Sequence, residues 1–233
     1  MRIVILSIGS THYRIALFGR YSDRWIFVID TIEIDFRYGR ARGKHKMVQI
    51  PSTALTLAEF LKLPETKPAS EYIDGQIIQK PMPQGKHSAI QGEFVPAINS
   101  IVKPKRIARA FPELRCTFGD RSIVPDIVVF TWQHIPRDAN GEIANTFSTA
   151  PDWTIEILSP DQSQTRVVKN ILHCLKYGTQ MGWLIDPDEQ TVFVYRPKQE
   201  TEVFDKPDIV LPVPTFASDL NLAVKDLFAW LLE

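Results

Sequence analysis

Cysteine is scarce in this 233-residue chain, which holds only Cys116 and Cys174. Two thiols are too few for a disulfide framework or a closed zinc site. Both sit among apolar neighbours in the manner of buried thiols, so a reducing cytoplasm fits best. Long hydrophobic runs are missing as well. The apolar stretch Ile3 to Leu6 is too short for a signal peptide, no small-residue cleavage site follows it, and no segment reaches the roughly 20 residues a membrane span needs. There is no excess of charge of one sign either: Lys plus Arg and Asp plus Glu each total 27, so net charge neither favours nor excludes a nucleic-acid partner. Gly75, Gly85, Gly92 and Gly119 form no phosphate-cradling loop, and no local Ser-His-Asp or Cys-His motif is present, which counts against nucleotide-dependent and acyl-transfer chemistry. His12, His45, His134 and His173 lack ligand spacing with one another. No internal repeat or low-complexity tract is visible.

What is present is an ordinary globular composition, 44% hydrophobic and 23% charged, with length for one main domain and an appendage. Residues 1–46 stand apart, with nine basic against four acidic residues. They end in a charged, glycine-containing run just before Met47. Met47 is therefore expected to be the true start, with 1–46 as translated upstream sequence. The competing reading is a basic arm with strands near Arg2–Leu6 and Trp25–Asp35 that contacts phosphates. The main domain is expected over 47–233.

Within it, Thr56 to Glu59 is a capping-box pattern that opens a short helix through Leu63, stopped by Pro64. Tyr72 to Ile78 reads as two strands about the Asp74-Gly75 turn. His87 to Val102 reads as a helix that Pro96 should kink or interrupt. Glu113–Phe118, Ile123–Phe130 and Trp153–Leu158 read as central strands, with a polar loop from His134 to Ala150. Ser163 to Tyr177 is helical by period, Gly182–Ile185 and Thr191–Tyr195 are strands, and Val224–Leu232 is a final helix. That order predicts an α/β (α+β mixed) domain, with a mixed central sheet covered by helices.

Two carboxylates break the pattern. Asp126 stands at the mouth of the apolar strand Ile127–Phe130, and Glu156 interrupts Trp153–Leu158, where a lone buried charge is costly unless paired or bound to metal. Carboxylates on neighbouring strands can share a hard cation, Mg²⁺ or Mn²⁺, which suits phosphodiester hydrolysis. That chemistry wants a fixed cation, and the helix after Glu156 offers Arg166, Lys169 and Lys176. Lys169, nearest the strand end, is the choice. Read singly, an Asp after Pro is a turn residue and a strand Glu an edge residue; the pair followed by a cationic helix favours a site. Glu71 by itself reads as a solvated strand-edge residue beside the Asp74-Gly75 turn. His87 could contact phosphate or hold a water, or make a local helix-terminal hydrogen bond. Lys103, Lys105, Arg106 and Arg109 would suit phosphate contacts beside the cleft, though a solvated loop more often explains such a run.

The segments Val124–Val129, Ile155–Pro160 and Gly178 to Pro187, with Glu71–Gly75 and His87 upstream, closely resemble the bacterial Uma-two family. The resemblance runs from about Met47 to the C-terminus. It implies the restriction-endonuclease-like PD-(D/E)XK fold, with Asp126 and Glu156 as metal ligands and Glu71, at the family's early acidic position, able to complete the metal shell. The chain departs from the textual motif because Leu158 stands two residues after Glu156 where the motif has lysine. In the family the lysine is thought to come from the next helix, where Asn170 occupies the aligned position beside Lys169. The resemblance implies a Mg²⁺-dependent endonuclease acting on nucleic acid, chiefly DNA. The cysteine usage gives the cytoplasm as the expected compartment, and a homodimer would serve a nuclease that cuts both strands. The alternative is a catalytically inactive module on the same fold that binds nucleic acid or a protein.

Overall fold

A computed structural model describes residues 55–160 and 162–232 in full and, within 1–54, the backbone of four strands. These are β1 (Arg2–Ser7), β2 (His12–Tyr21), β3 (Arg24–Asp35) and β4 (Arg40–Arg42), paired antiparallel in that order. They include the two expected strands and add two more. The chain divides into two units, Met1–Thr53 and Ala54–Glu233. The boundary expected at Met47 lies outside the described residues.

The second unit opens as its sequence dictates. The Thr56 side chain accepts from the Glu59 N–H, and Glu59 returns a bond to the Thr56 N–H. This capping box starts α1 (Leu57–Phe60), shorter than the helix expected through Leu63. Next, β5 (Ser70–Ile73) and β6 (Gln76–Gln79) form the expected hairpin, with Asp74 at φ 50° and Gly75 at φ 81°. α2 (Gly85–Val102) runs through Pro96 as one helix, so of the kink or interruption expected there the interruption does not occur. The carbonyl that the proline ring opposes belongs to Gly92, where the backbone has most freedom to tilt away.

The strands that follow sort into two sheets. β8 (Cys116–Phe118) and β9 (Arg121–Ile123) join the hairpin in a small sheet ordered β6-β5-β9-β8. β7 (Ala108–Pro112), β10 (Ile127–Thr131), β11 (Trp153–Ile157), β12 (Met181–Asp186), β13 (Thr191–Tyr195) and β14 (Glu202–Phe204) form the central sheet, ordered β14-β13-β12-β11-β10-β7. All of its neighbours are antiparallel except β11 and β12. That parallel pair needs a crossover, and α3 (Gln164–Lys176) supplies it. The single strand read over Ile123–Phe130 is in fact two strands in different sheets. Pro125 has no N–H to give a ladder, and the chain changes sheet there. β7 and β14 were not anticipated.

The central sheet is covered on both faces, which gives the expected mixed α+β architecture. On one face, Ile127, Val129, Trp153, Ile155, Trp183 and Ile185 pack with α2 and with α4 (Val224–Ala229). Phe94 of α2 sits edge-on to Trp153 and tilted to Trp183, with ring centroids 5.9 and 5.6 Å away. On the other face, Val128 and Phe130 pack with the small sheet, and Leu184 packs under Val167 and Ile171 of α3. Side chains alternate along β11, so Glu156 belongs to this second face, opposite the residues that meet α2.

α3 lies close on the sheet at Gly182, where an added Cβ would come within 2.3 Å of Ile171 Cγ2. Gly182→Ala should therefore cost about 1–3 kcal/mol. A chemical-denaturation midpoint equal to wild type would show that α3 is free to move outward.

Candidate active site

The turn between β9 and β10 builds the site. Val124 to Asp126 crosses from one sheet to the other in a buried position, so its backbone polar groups need partners. The Glu113 N–H, just past β7, donates to the Asp126 carbonyl at 3.0 Å, and side chains supply further bonds. Glu71 on β5 accepts from the Val124 N–H at 2.8 Å, Lys80 donates to the Val124 carbonyl at 2.7 Å, and Gln91 of α2 donates to the Asp126 carbonyl at 2.8 Å.

The Asp126 side chain is held from three directions. Lys80 Nζ lies 2.6 Å from Oδ1, while Oδ2 accepts from the Ile157 N–H at 2.7 Å and lies 3.1 Å from His87 Nε2. The bond to Ile157 ties Asp126 to the end of β11, beside Glu156. Glu156 Oε2 is 3.8 Å from the same ammonium, beyond hydrogen-bonding reach. Glu71 Oε2 accepts from Asn170 Nδ2 on α3 at 3.2 Å. Glu71, Asp126 and Glu156 are only 4%, 2% and 2% exposed, so three carboxylates share this interior around one lysine.

The electrostatics follow. Burial works against the Lys80 charge, but Asp126, Glu156 and Glu71 outweigh it and hold the amine above its ordinary value. Burial also pushes the Asp126 carboxyl up, yet Lys80, His87 and the Ile157 N–H together carry it below its usual range. Burial drives Glu156 well above its ordinary 4.5; Lys80 opposes this, while Asp126 and Glu71 add to it. Among the described residues the one ammonium at the site is hydrogen-bonded to Asp126, which leaves Glu156 as the acid in want of a positive partner.

The structure thus brings together Asp126, Glu156, Glu71 and His87. It does not bring Lys169, which is exposed on α3 and lies outside the residues lining the cleft. Asn170 and Arg166, four residues apart on one helical face, both line that cleft with Gln79, Gln162 and the two glutamates; Lys169 is turned about 100° from Asn170. Lys176 is exposed, with its ammonium 5.6 Å from the centre of the Tyr177 ring. The basic run Lys103 to Arg109 contributes no residue to the lining of the cleft. It starts at the C-terminal end of α2, while His87 sits in the first turn, about 24 Å away along the helix.

Lys80 escaped the sequence reading, although the hairpin register carried a signal. Glu71 pairs with Ile78 across the β5–β6 ladder. Directly opposed residues share a face, and so do residues two apart, so Lys80 falls on the face of Glu71.

A ready-made shell of Asp126, Glu156 and Glu71 is not formed: among the described residues no three His, Cys, Asp or Glu side chains converge as metal ligands. An ammonium lies between two of the three, and both oxygens of Glu71 accept protein hydrogen bonds. The donor set nevertheless fits a hard divalent cation. Asp126 and Glu156 already face one positive charge, Glu156 is poorly neutralised, and Asn170 Oδ1 is a buried amide oxygen without a partner among the described residues.

The chain matches none of the curated proteins it was compared with. Among solved structures it is similar to a crystal structure from Anabaena variabilis described as "a putative nuclease belonging to DUF820". The two share 80% identity and superpose with a TM-score of 0.75, over 76% of this chain and 98% of that one. The profile of the Uma2 family, described as "Putative restriction endonuclease", matches residues 57–225, across both sheets and every residue of the site. The chain therefore belongs to the Uma2 family and carries its restriction-endonuclease-like core.

Proposed function

We propose that this nuclease-family protein is a divalent-metal-dependent endonuclease that hydrolyses DNA phosphodiester bonds, with Asp126 and Glu156 as its principal metal ligands. One observation carries the reading: two buried carboxylates, Asp126 in the turn before β10 and Glu156 on β11, converge on a single cation position, and Glu156 and Lys80 line a cleft there. Bound there, Mg²⁺ or Mn²⁺ would lower the pKa of an attacking water and offset charge on the phosphate.

The chain's own residues have separable tasks. Asp126 is fixed in orientation by the Ile157 N–H and His87, so one oxygen is always presented to the cation position. Glu156 gives up its proton when a cation is taken in, so metal affinity should rise with pH. Glu71 is held by Val124 and Asn170 and adds negative charge from a third side. Lys80 is the cation at the reacting centre, the part first given to Lys169. Arg166, exposed at the cleft, is placed to meet a phosphate. Cleavage of both DNA strands would be served by two copies of the chain. The buried free thiols Cys116 and Cys174 suit the cytoplasm.

A second reading, a non-catalytic module, is favoured by the Lys80–Asp126 ion pair, which satisfies Asp126 without metal. Plasmid nicking separates the two. Wild type should convert supercoiled to relaxed DNA in Mg²⁺ or Mn²⁺ and not in EDTA, and Asp126→Ala should not do so in either. Absence of nicking together with absence of Mn²⁺ binding at millimolar metal would establish the module instead.

A further inference from the structure

Lys80 occupies the place a metal would need. Its Nζ is 2.6 Å from Asp126 Oδ1, 3.8 Å from Glu156 Oε2 and 2.7 Å from the Val124 carbonyl. A divalent cation bound to the same carboxylate oxygens would sit about 2.0–2.6 Å from them, in the volume the ammonium fills. The two cannot be present together at that point.

The rest of the surroundings allow an exchange. The Lys80 backbone is anchored by its N–H on the Ala69 carbonyl at 2.9 Å, while the charge rides on a flexible four-carbon stem. The side chain is 15% exposed, unlike the carboxylates beneath it, and lines the open cleft with Gln79, Gln162 and Arg166. Among the described residues the other partners of Asp126, namely Ile157, His87, Gln91 and Glu113, do not depend on the lysine.

We propose that Lys80 is an exchangeable counter-ion: it neutralises Asp126 and Glu156 until a divalent cation is taken in, then withdraws into the cleft, its ammonium freed for the substrate phosphate. This rests on the reading of the site as metal-binding. The exchange couples metal loading to delivery of the lysine, so metal-free protein keeps its cation buried against Asp126. It also sets metal affinity by competition, since each metal bound must displace an ion pair.

Two measurements test it without reference to cleavage. Amine acetylation of the wild-type protein, mapped by peptide mass spectrometry, should label Lys80 at least ten-fold faster with saturating Mg²⁺ than in EDTA, while Lys86 and Lys105 remain unchanged as internal controls. By calorimetry, Lys80→Met should bind Mn²⁺ at least ten-fold more tightly than wild type. The labelling experiment needs no variant, so a poorly folded Lys80→Met leaves the proposal open to refutation. Binding by Lys80→Met alone would support it, because the lysine then outcompetes the metal. Metal binding by wild type with unchanged Lys80 labelling, or equal or weaker affinity in a folded Lys80→Met, would overturn the exchange and leave the metal site standing. No binding by either protein would overturn both.

Discussion

Asp126→Ala should abolish metal-dependent cleavage, a loss of at least about 10²–10³-fold, and should also destabilise the protein in EDTA by about 3–5 kcal/mol. The two effects have one origin. Asp126 is the hydrogen-bonded partner of the buried Lys80 ammonium and accepts from the Ile157 N–H, so its removal strands a buried charge and a buried donor at once. Because Asp126 is held below its usual range, its contribution is present at neutral pH and is lost as pH falls through that lowered value. Denaturant unfolding should therefore show the gap between wild type and Asp126→Ala narrowing only in strong acid. An Asp126→Ala protein as stable as wild type at pH 7 would mean that Lys80 has another partner.

Glu156→Gln should be equally inactive but opposite in its effect on stability. The folded-state pKa of Glu156 lies well above its ordinary 4.5. A group raised in this way stabilises the fold fully below the unfolded value and loses that contribution as pH rises toward the folded one. Wild type in EDTA should thus weaken with respect to Glu156→Gln from pH 5 upward, by at most about 1.4 kcal/mol per pH unit. Glutamine keeps the shape, removes the buried charge, and loses only a 3.8 Å contact with Lys80. Thermal melts at pH 5 and pH 8.5 measure the difference directly. A variant that melts below wild type at pH 8.5 would show Glu156 to be well paired in the metal-free protein.

The two substitutions together describe a site divided by one lysine. Asp126 is paired and contributes to stability, whereas Glu156, with its nearest ammonium 3.8 Å away, is poorly neutralised and costs it. An acid retained against its own stability cost is the pattern expected where function, and not packing, keeps it.

Much of this was readable in the chain, for identifiable reasons. Period and turn chemistry specified the Asp74-Gly75 hairpin, the α3 helix and the β12–β13 pair, because each is set by neighbouring residues. Asp126 and Glu156 stood out because a charge inside an apolar strand has few structural uses. β7 did not, since Ala108–Pro112 becomes a strand only by pairing with β10, a contact with no local signature. The split between β9 and β10 was hidden by the continuous apolar run from Ile123 to Phe130, although Pro125 marked the point. Lys80 was hidden for a further reason: the basic residues near Glu156 in sequence lie on the following helix, while the cation comes from the hairpin, 46 residues before Asp126. Its position depends on strand register together with the docking of two sheets, and only the first of these is written locally.

The central claim is that Asp126 and Glu156 share one cation position, and Mn²⁺ soaked into crystals of the protein tests it most directly. The account predicts a single anomalous peak about 2.0–2.6 Å from an oxygen of each carboxylate, with the Lys80 ammonium displaced from Asp126. A peak remote from both residues, or none while Lys80 stays at Asp126, would contradict it.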